Sequence, residues 1–285
     1  MSKLIKIVNI FLISTILIYL IFTFLFGGFG ISHAKDLALA RGDSMLLFAH
    51  RGILNYFPEH SMDGANEARQ LGFNAIEIDI RKSADDEYVI FHDETAERLL
   101  GIKATVNTLN LSVLKKNPLL FNNQKTLNYV FTVDEFLNSY KNDFVIYFDM
   151  KLFRFSEADK IISIIKKHSG EKTCIIASAD IFLILYIELK HPEMLTALEG
   201  FDSGKEWTYR FIPKNLRPDY LSGFFQNIDA NQVDWLKKMN LLSSRIVYGI
   251  VKSNYDSAKA FGIKNIILDY DSSFGDIRNE IRPRH

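Results

Sequence analysis

The sequence predicts an α/β protein, a TIM-type (β/α)8 barrel behind a single N-terminal transmembrane helix. Three observations predict it. After residue 44, about eight short apolar segments of strand character alternate with helical segments. The roughly 240 residues of that region match the usual length of such a barrel. Charged residues cluster where the apolar segments end, as they do at the C-terminal mouth of a barrel. A doubly wound open sheet is the alternative, but it calls for a Gly-rich turn after the first strand, and LFAHRGILNY contains none.

The N-terminus differs in kind from the rest. From Ile10 to Phe29 the chain carries no charge, and as a helix this run spans about 30 Å, the thickness of a bilayer core. Lys3 and Lys6 precede it, which favours a cytoplasmic N-terminus and a C-terminal domain on the extracytoplasmic side. The rival reading is a cleaved signal peptide ending at Ser32-His33-Ala34, for which the apolar run is long. The expected division is therefore an anchor over 1–31, a linker over 32–44 and a barrel over 45–285.

Composition narrows the function. The 34 basic and 34 acidic residues cancel, so no nucleic-acid partner is expected. The single cysteine, Cys174, lies in the apolar run TCIIASA and reads as core packing.

In chain order, Leu46, Phe48 and His50 share one face of the first strand. Ser61 is placed to cap the helix MDGANEARQL, and Gly72 to stop it. In AIEIDI the isoleucines share one face while Glu77 and Asp79 share the other, about 7 Å apart. Two carboxylates on a buried strand repel each other, and a divalent cation with oxygen ligands, Mg2+ or Ca2+, relieves that repulsion. A half-exposed strand with a solvated acidic face explains the same two residues. About a dozen residues separate Asp79 from His92, too few for a crossover, so a hairpin with Asp85-Asp86 at its tip brings His92 opposite Asp79, to within a residue or two.

An irregular excursion follows, from about Glu94 to Phe131. Thr132 and Glu135 then form a capping box. FVIYFDMK reads as a strand with Tyr147, Asp149 and Lys151 on one face. Ser156 is expected to cap the next helix and Gly170 to end it. CIIAS, LTALE, LSGFFQNI, RIVYGIVK and NIILD read as the later strands. Between them lie the mostly buried helix IFLILYIELK, a helix capped by Asp229, and a short helix ending at Gly262; the stretch between Gly200 and Pro218 has no clear pattern.

The ordered set AHRG, PEHS, EID and HD resembles the glycerophosphodiester phosphodiesterase family, whose pattern reads HRG, PEN, ExD and HD at similar spacing; a weaker likeness extends to Asp271. The resemblance implies hydrolysis of a glycerophosphodiester to sn-glycerol 3-phosphate and an alcohol. It implies His50 and His92 as acid and base, Arg51 as a phosphate ligand, and Glu77 and Asp79 as metal ligands; Lys151 is a second candidate phosphate contact, as a point charge. Asp149 stands where the family's E-x-K strand carries Glu, as in the similar sphingomyelinase D enzymes. Glu59 corresponds to the PEN glutamate, a site-organising acid. His60 replaces the PEN asparagine and reads as a surface residue at the helix entry. Tyr248-Gly249-Ile250-Val251 stands where the family has W-T-V-N, which leaves the alcohol pocket open.

Two other readings compete. A lysophospholipase D or sphingomyelinase D-like enzyme is suggested by the anchor together with Leu99, Leu100, Leu119, Leu120 and Phe121 in the excursion, groups able to meet lipid. A catalytically inactive membrane-tethered binding domain is disfavoured, because every charged position of the motif set holds a competent residue.

Overall fold

The computed structural model describes residues 3–26, 45–151, 154–275, 277 and 278. Helix α1 covers Lys3–Phe26, and its Ile5–Thr23 stretch is long and apolar enough to cross a membrane, a property that signal sequences share. The expected linker 32–44 and the sequence Ser32-His33-Ala34 lie outside the described residues.

The body begins with β1 (Leu46–His50), α2 (Met62–Leu71), β2 (Ala75–Lys82) and β3 (Tyr88–Ile90). The excursion carries α3 (Glu97–Leu100), α4 (Leu111–Lys116) and the small hairpin β4 (Leu120–Phe121) and β5 (Gln124–Lys125). Next come α5 (Val133–Tyr140), β6 (Val145–Met150), α6 (Phe155–Lys167), β7 (Cys174–Ser178), α7 (Ile181–Lys190) and β8 (Leu195–Leu198). The last part comprises α8 (Glu206–Tyr209), β9 (Tyr220–Phe224), α9 (Ala230–Lys238), β10 (Arg245–Ile250), α10 (Lys252–Ala260) and β11 (Asn265–Leu268). Strands β1, β2, β6, β7, β8, β9, β10 and β11 pair in that order, all parallel, and β11 returns to β1, closing the barrel. This excludes the open doubly wound sheet.

Strand alternation sorts the core into two layers. Phe48, Ala75, Tyr147, Ile175, Tyr220 and Ile246 fill the barrel interior. Leu47, Ile76, Ile78, Ile146 and Phe148 face outward against Ala65, Ala68 and Ile161 of the helices. Two residues beyond Phe48, Ala75 and Tyr147 on the same faces come His50, Glu77 and Asp149, and two beyond Glu77 comes Asp79. The alternation that packs the barrel floor thus delivers acids and an imidazole to its C-terminal mouth.

Local signals explain most element ends. Ser61 accepts from the Gly64 amide, and Gly72 closes α2 in the left-handed conformation. Thr132 and Glu135 form the expected capping box, and Asp229 caps α9. The start of α6 differs: Arg154 is its N-cap, its amide bonds Glu157 Oε2 at 2.8 Å, and Ser156 lies inside the first turn. Gly170 lies beyond the C-cap, which is His168. Helix α7 is less buried than its composition suggests, because Phe182 and Leu189 face outward.

The hairpin register also shifts. Ile80 pairs with Ile90, and the Phe91 amide bonds the Asp79 carbonyl at 3.0 Å, so Phe91 rather than His92 stands opposite Asp79. Phe91 is the residue the excursion's own core requires, with Leu99, Leu100, Leu114 and Leu119 buried around it. Those leucines therefore pack inward. His92 follows just beyond the strand end.

Candidate active site

The site is built on the ends of β1, β2 and β6. Parallel register places His50 beside Glu77, and Asp79 beside Asp149. Carboxylate oxygens of Glu77, Asp79 and Asp149 all lie within 4.8 Å of one another, and all three side chains are buried. Such crowding is unfavourable unless positive charge is interposed. Lys151 supplies part of it, with Nζ 2.8 Å from Asp79 Oδ1 and also bonded to Asp149 Oδ2. Arg51 supplies more, with Nε 3.2 Å from Asp79 Oδ2 and Nη1 3.5 Å from Glu59 Oε2.

The electrostatics divide the three acids. Burial, and then the charge of Asp79, push Glu77 well above the usual carboxylate range. Burial and the acids Glu199 and Asp79 do the same to Asp149. Burial also opposes ionisation of Asp79, but the His60 hydrogen bond and the cations Lys151 and Arg51 outweigh it and hold that carboxyl low. Burial likewise works against the Lys151 ammonium, yet Asp149 and Asp79 raise it above an ordinary lysine. Two acids that resist ionisation beside one that does not form a donor set still short of positive charge. That deficit, together with all-oxygen donors, suits a hard divalent cation.

Both candidate acid/base histidines are paired through Nδ1. His50 Nδ1 lies 2.5 Å from Asp269 Oδ1, and its Nε2 points toward Glu77 at 3.8 Å. His92 Nδ1 lies 2.8 Å from Asp93 Oδ1. An ionised carboxylate only accepts, so each pairing keeps the hydrogen on Nδ1 and leaves Nε2 for proton transfer. Asp93 is itself clamped by Arg98, whose hydrogen bonds, against the effect of burial, bring its pKa to about 2. Arg98 also binds Glu59 in a fork, at 2.7 and 3.0 Å. Burial acts to raise Glu59, but Arg98, His60 and Arg51 hold it below its ordinary value. Glu59, His92 and Asp93 form a second close group of potential ligands, yet the Arg98 guanidinium already neutralises both of its acids.

The backbone bends sharply here. Arg51 and His60 both have positive φ, at 55° and 59°, and Gly52 at 86° lies so close to Gly64 that a Cβ would come within 3.0 Å of its carbonyl carbon. The turn aims the Arg51 amide at Glu77 Oε2, 3.2 Å away.

His60 is not at the surface. It is buried, with Nε2 2.9 Å from Asp79 Oδ2, and burial lowers its pKa although Asp79 acts to raise it. The parts played by Asp269 and Arg98 emerge only from the fold, as does the pairing of Asp93, the acid of the HD motif, with His92; Asp269 follows the last strand, 219 residues from His50. Glu199 joins the rim as well, bonded by the Tyr147 hydroxyl at 2.8 Å.

Comparison with known proteins agrees with this architecture. A glycerophosphodiester phosphodiesterase from Caldanaerobacter subterraneus subsp. tengcongensis is 26% identical over 162 residues, covering 54% of this chain and 65% of that protein. One from Bacillus subtilis is 30% identical over 86 residues, covering 30% of this chain and 29% of that protein. The aligned region thus spans under two thirds of these curated relatives. Among solved structures, an Oleispira antarctica phosphodiesterase in complex with the product sn-glycerol-3-phosphate superposes with a TM-score of 0.69 at 19% identity, covering 82% of this chain and 96% of that one. The glycerophosphodiester phosphodiesterase of Thermotoga maritima gives 0.66 at 20%, covering 86% and 100%. The model of the glycerophosphoryl diester phosphodiesterase family matches residues 50–264, from the first site histidine to the threshold of the last strand, and the chain belongs to that family.

Proposed function

We propose that this chain hydrolyses glycerophosphodiesters to sn-glycerol 3-phosphate and an alcohol. The observation that carries the reading is the grouping of Glu77, Asp79 and Asp149 at the mouth of the barrel, beside two carboxylate-paired histidines.

A phosphodiester resists attack because its charge repels nucleophiles and its alkoxide leaves poorly. Arg51 and Lys151 offset that charge at the non-bridging oxygens, Arg51 as a fork and Lys151 as a point charge. Glu77, Asp79 and Asp149 would hold a divalent cation, which supplies Lewis-acid polarisation of the phosphate when bound. His50 and His92 serve as base and acid. One Nε2 accepts a proton from the attacking hydroxyl as its oxygen bonds to phosphorus, and the other donates a proton to the departing alkoxide as the P–O bond breaks. Asp269 and Asp93 hold the two rings in orientation through Nδ1. Glu59 and Arg98 tie the loop after β1 to the excursion and so fix where Arg51 and Asp93 sit.

The same reading makes α1 a single-pass anchor, with Lys3 and Lys6 on the cytoplasmic side and the barrel outside. Of the excursion's apolar groups offered for a lipid substrate, Leu99, Leu100 and Leu119 are buried, while Leu120 and Phe121 are part-exposed. The test is glycerol 3-phosphate release from soluble diesters by the detergent-solubilised full chain, stripped of metal and then given Mg2+ or Ca2+. Release that needs the ion is expected. Metal-independent release, or none from any diester, overturns the reading.

A further inference from the structure

Next to the catalytic mouth lies a groove of about 570 Å³, bounded by the hairpin β2–β3, the excursion and the start of α6. Lys151 lines the groove and also bonds Asp79, so the groove adjoins the phosphate site. Its walls carry Arg81, Lys82 and Arg154 on one hand and Glu94 and Glu157 on the other.

The ion pairs decide which of these charges is available. Lys82 is neutralised by Glu157 and Asp86, at 2.5 and 3.0 Å. Lys151 is held by Asp79 and Asp149. Arg81 lines the groove, donates its Nε to the His92 carbonyl at 2.8 Å, and makes no ion pair among the described residues. Arg154 contributes its backbone amide to the α6 cap, and its guanidinium makes no ion pair among the described residues. Two forked cations therefore line a space in which Glu94 is the lining acid outside any ion pair among the described residues. Forked guanidiniums match the oxygens of a phosphate or carboxylate, and the N-terminus of the 13-residue helix α6 adds positive potential on the same side.

We propose that this groove binds the alcohol portion of the substrate, and that the preferred alcohol carries a second anionic group, a phosphate, engaged by Arg81 and Arg154. Asn107 and Glu94 are placed to bond the hydroxyls of the same alcohol. The proposal rests on the phosphodiesterase reading and adds to it a substrate class.

The experiment compares kcat/KM for glycerophosphoinositol and glycerophosphoinositol 4-phosphate in the full-length protein, the Arg154→Gln variant and the Arg81→Gln variant, with thermal melts to show that each variant is folded. The expected ratio for the wild type is about tenfold in favour of the phosphorylated diester, shrinking at high salt and falling toward one in Arg154→Gln. A wild-type ratio near one, or a ratio that both variants leave unchanged, overturns the groove assignment while hydrolysis itself stands. Cleavage of neither diester, or of any other glycerophosphodiester, removes the underlying reading and this proposal with it.

Discussion

His60 Nε2 lies 2.9 Å from Asp79 Oδ2, both side chains are buried, and the bond ties the turn after β1 to the central acid of β2. The imidazole keeps Asp79 ionised and aimed into the mouth. His60→Ala leaves a buried carboxylate short of a donor, so stability falls by about 2–4 kcal/mol and cation affinity by roughly 10- to 100-fold. His60→Asn retains a donor and loses less of both. Calorimetric unfolding and metal titration of the two variants check the ordering.

His50→Ala and His92→Ala each lower turnover by about 100-fold or more, because proton transfer to or from the reacting oxygens is lost. Asp269→Asn replaces the charged acceptor that orients His50 with a neutral amide, which can also present its NH2 to Nδ1, and a loss of about 10- to 100-fold is expected with KM little changed. Single-turnover kinetics on variants with unaltered melts separates these effects from misfolding.

Asp79→Asn weakens cation binding, since it removes the carboxyl of the three that its neighbours hold low. Asp149→Glu keeps activity within about an order of magnitude, the added methylene being the family's own residue at that position. Titration with Ca2+ or Mg2+ reports both.

The pH dependence of stability follows from the split among the acids. Glu77 is raised in the folded state, so its contribution is present below its unfolded pKa near 4 and is lost as pH rises through its folded value. Asp79 runs oppositely, its contribution being lost as pH falls. In metal-free protein, Tm therefore falls relative to Glu77→Gln as pH rises above about 5, and a bound cation reverses the trend. Thermal melts of the two proteins from pH 5 to 8, with and without the ion, make the comparison.

Much of this site was legible in the sequence because strand alternation is a local rule. Glu77 and Asp79 had to share a face, and Asp149 and Lys151 had to share another, once their strands were recognised. The rest depends on distant parts of the chain. His92 falls one residue from its expected place, inside the stated tolerance, because Phe91 fills the excursion's core, and that core forms only when residues 89 to 130 close on themselves. His60 read as a surface residue because its partner is fixed by a left-handed turn that no periodicity reveals. Asp269 acquires a role only through barrel closure between β11 and β1. Arg98 sits in a one-turn helix within irregular sequence, and no spacing points from it to Glu59.

The direct test of the central claim is anomalous diffraction from a crystal soaked in Mn2+. The account predicts one strong peak bounded by Glu77, Asp79 and Asp149, about 2–2.5 Å from a carboxylate oxygen of each. No peak there, or one held instead by Glu59, His92 and Asp93, contradicts it.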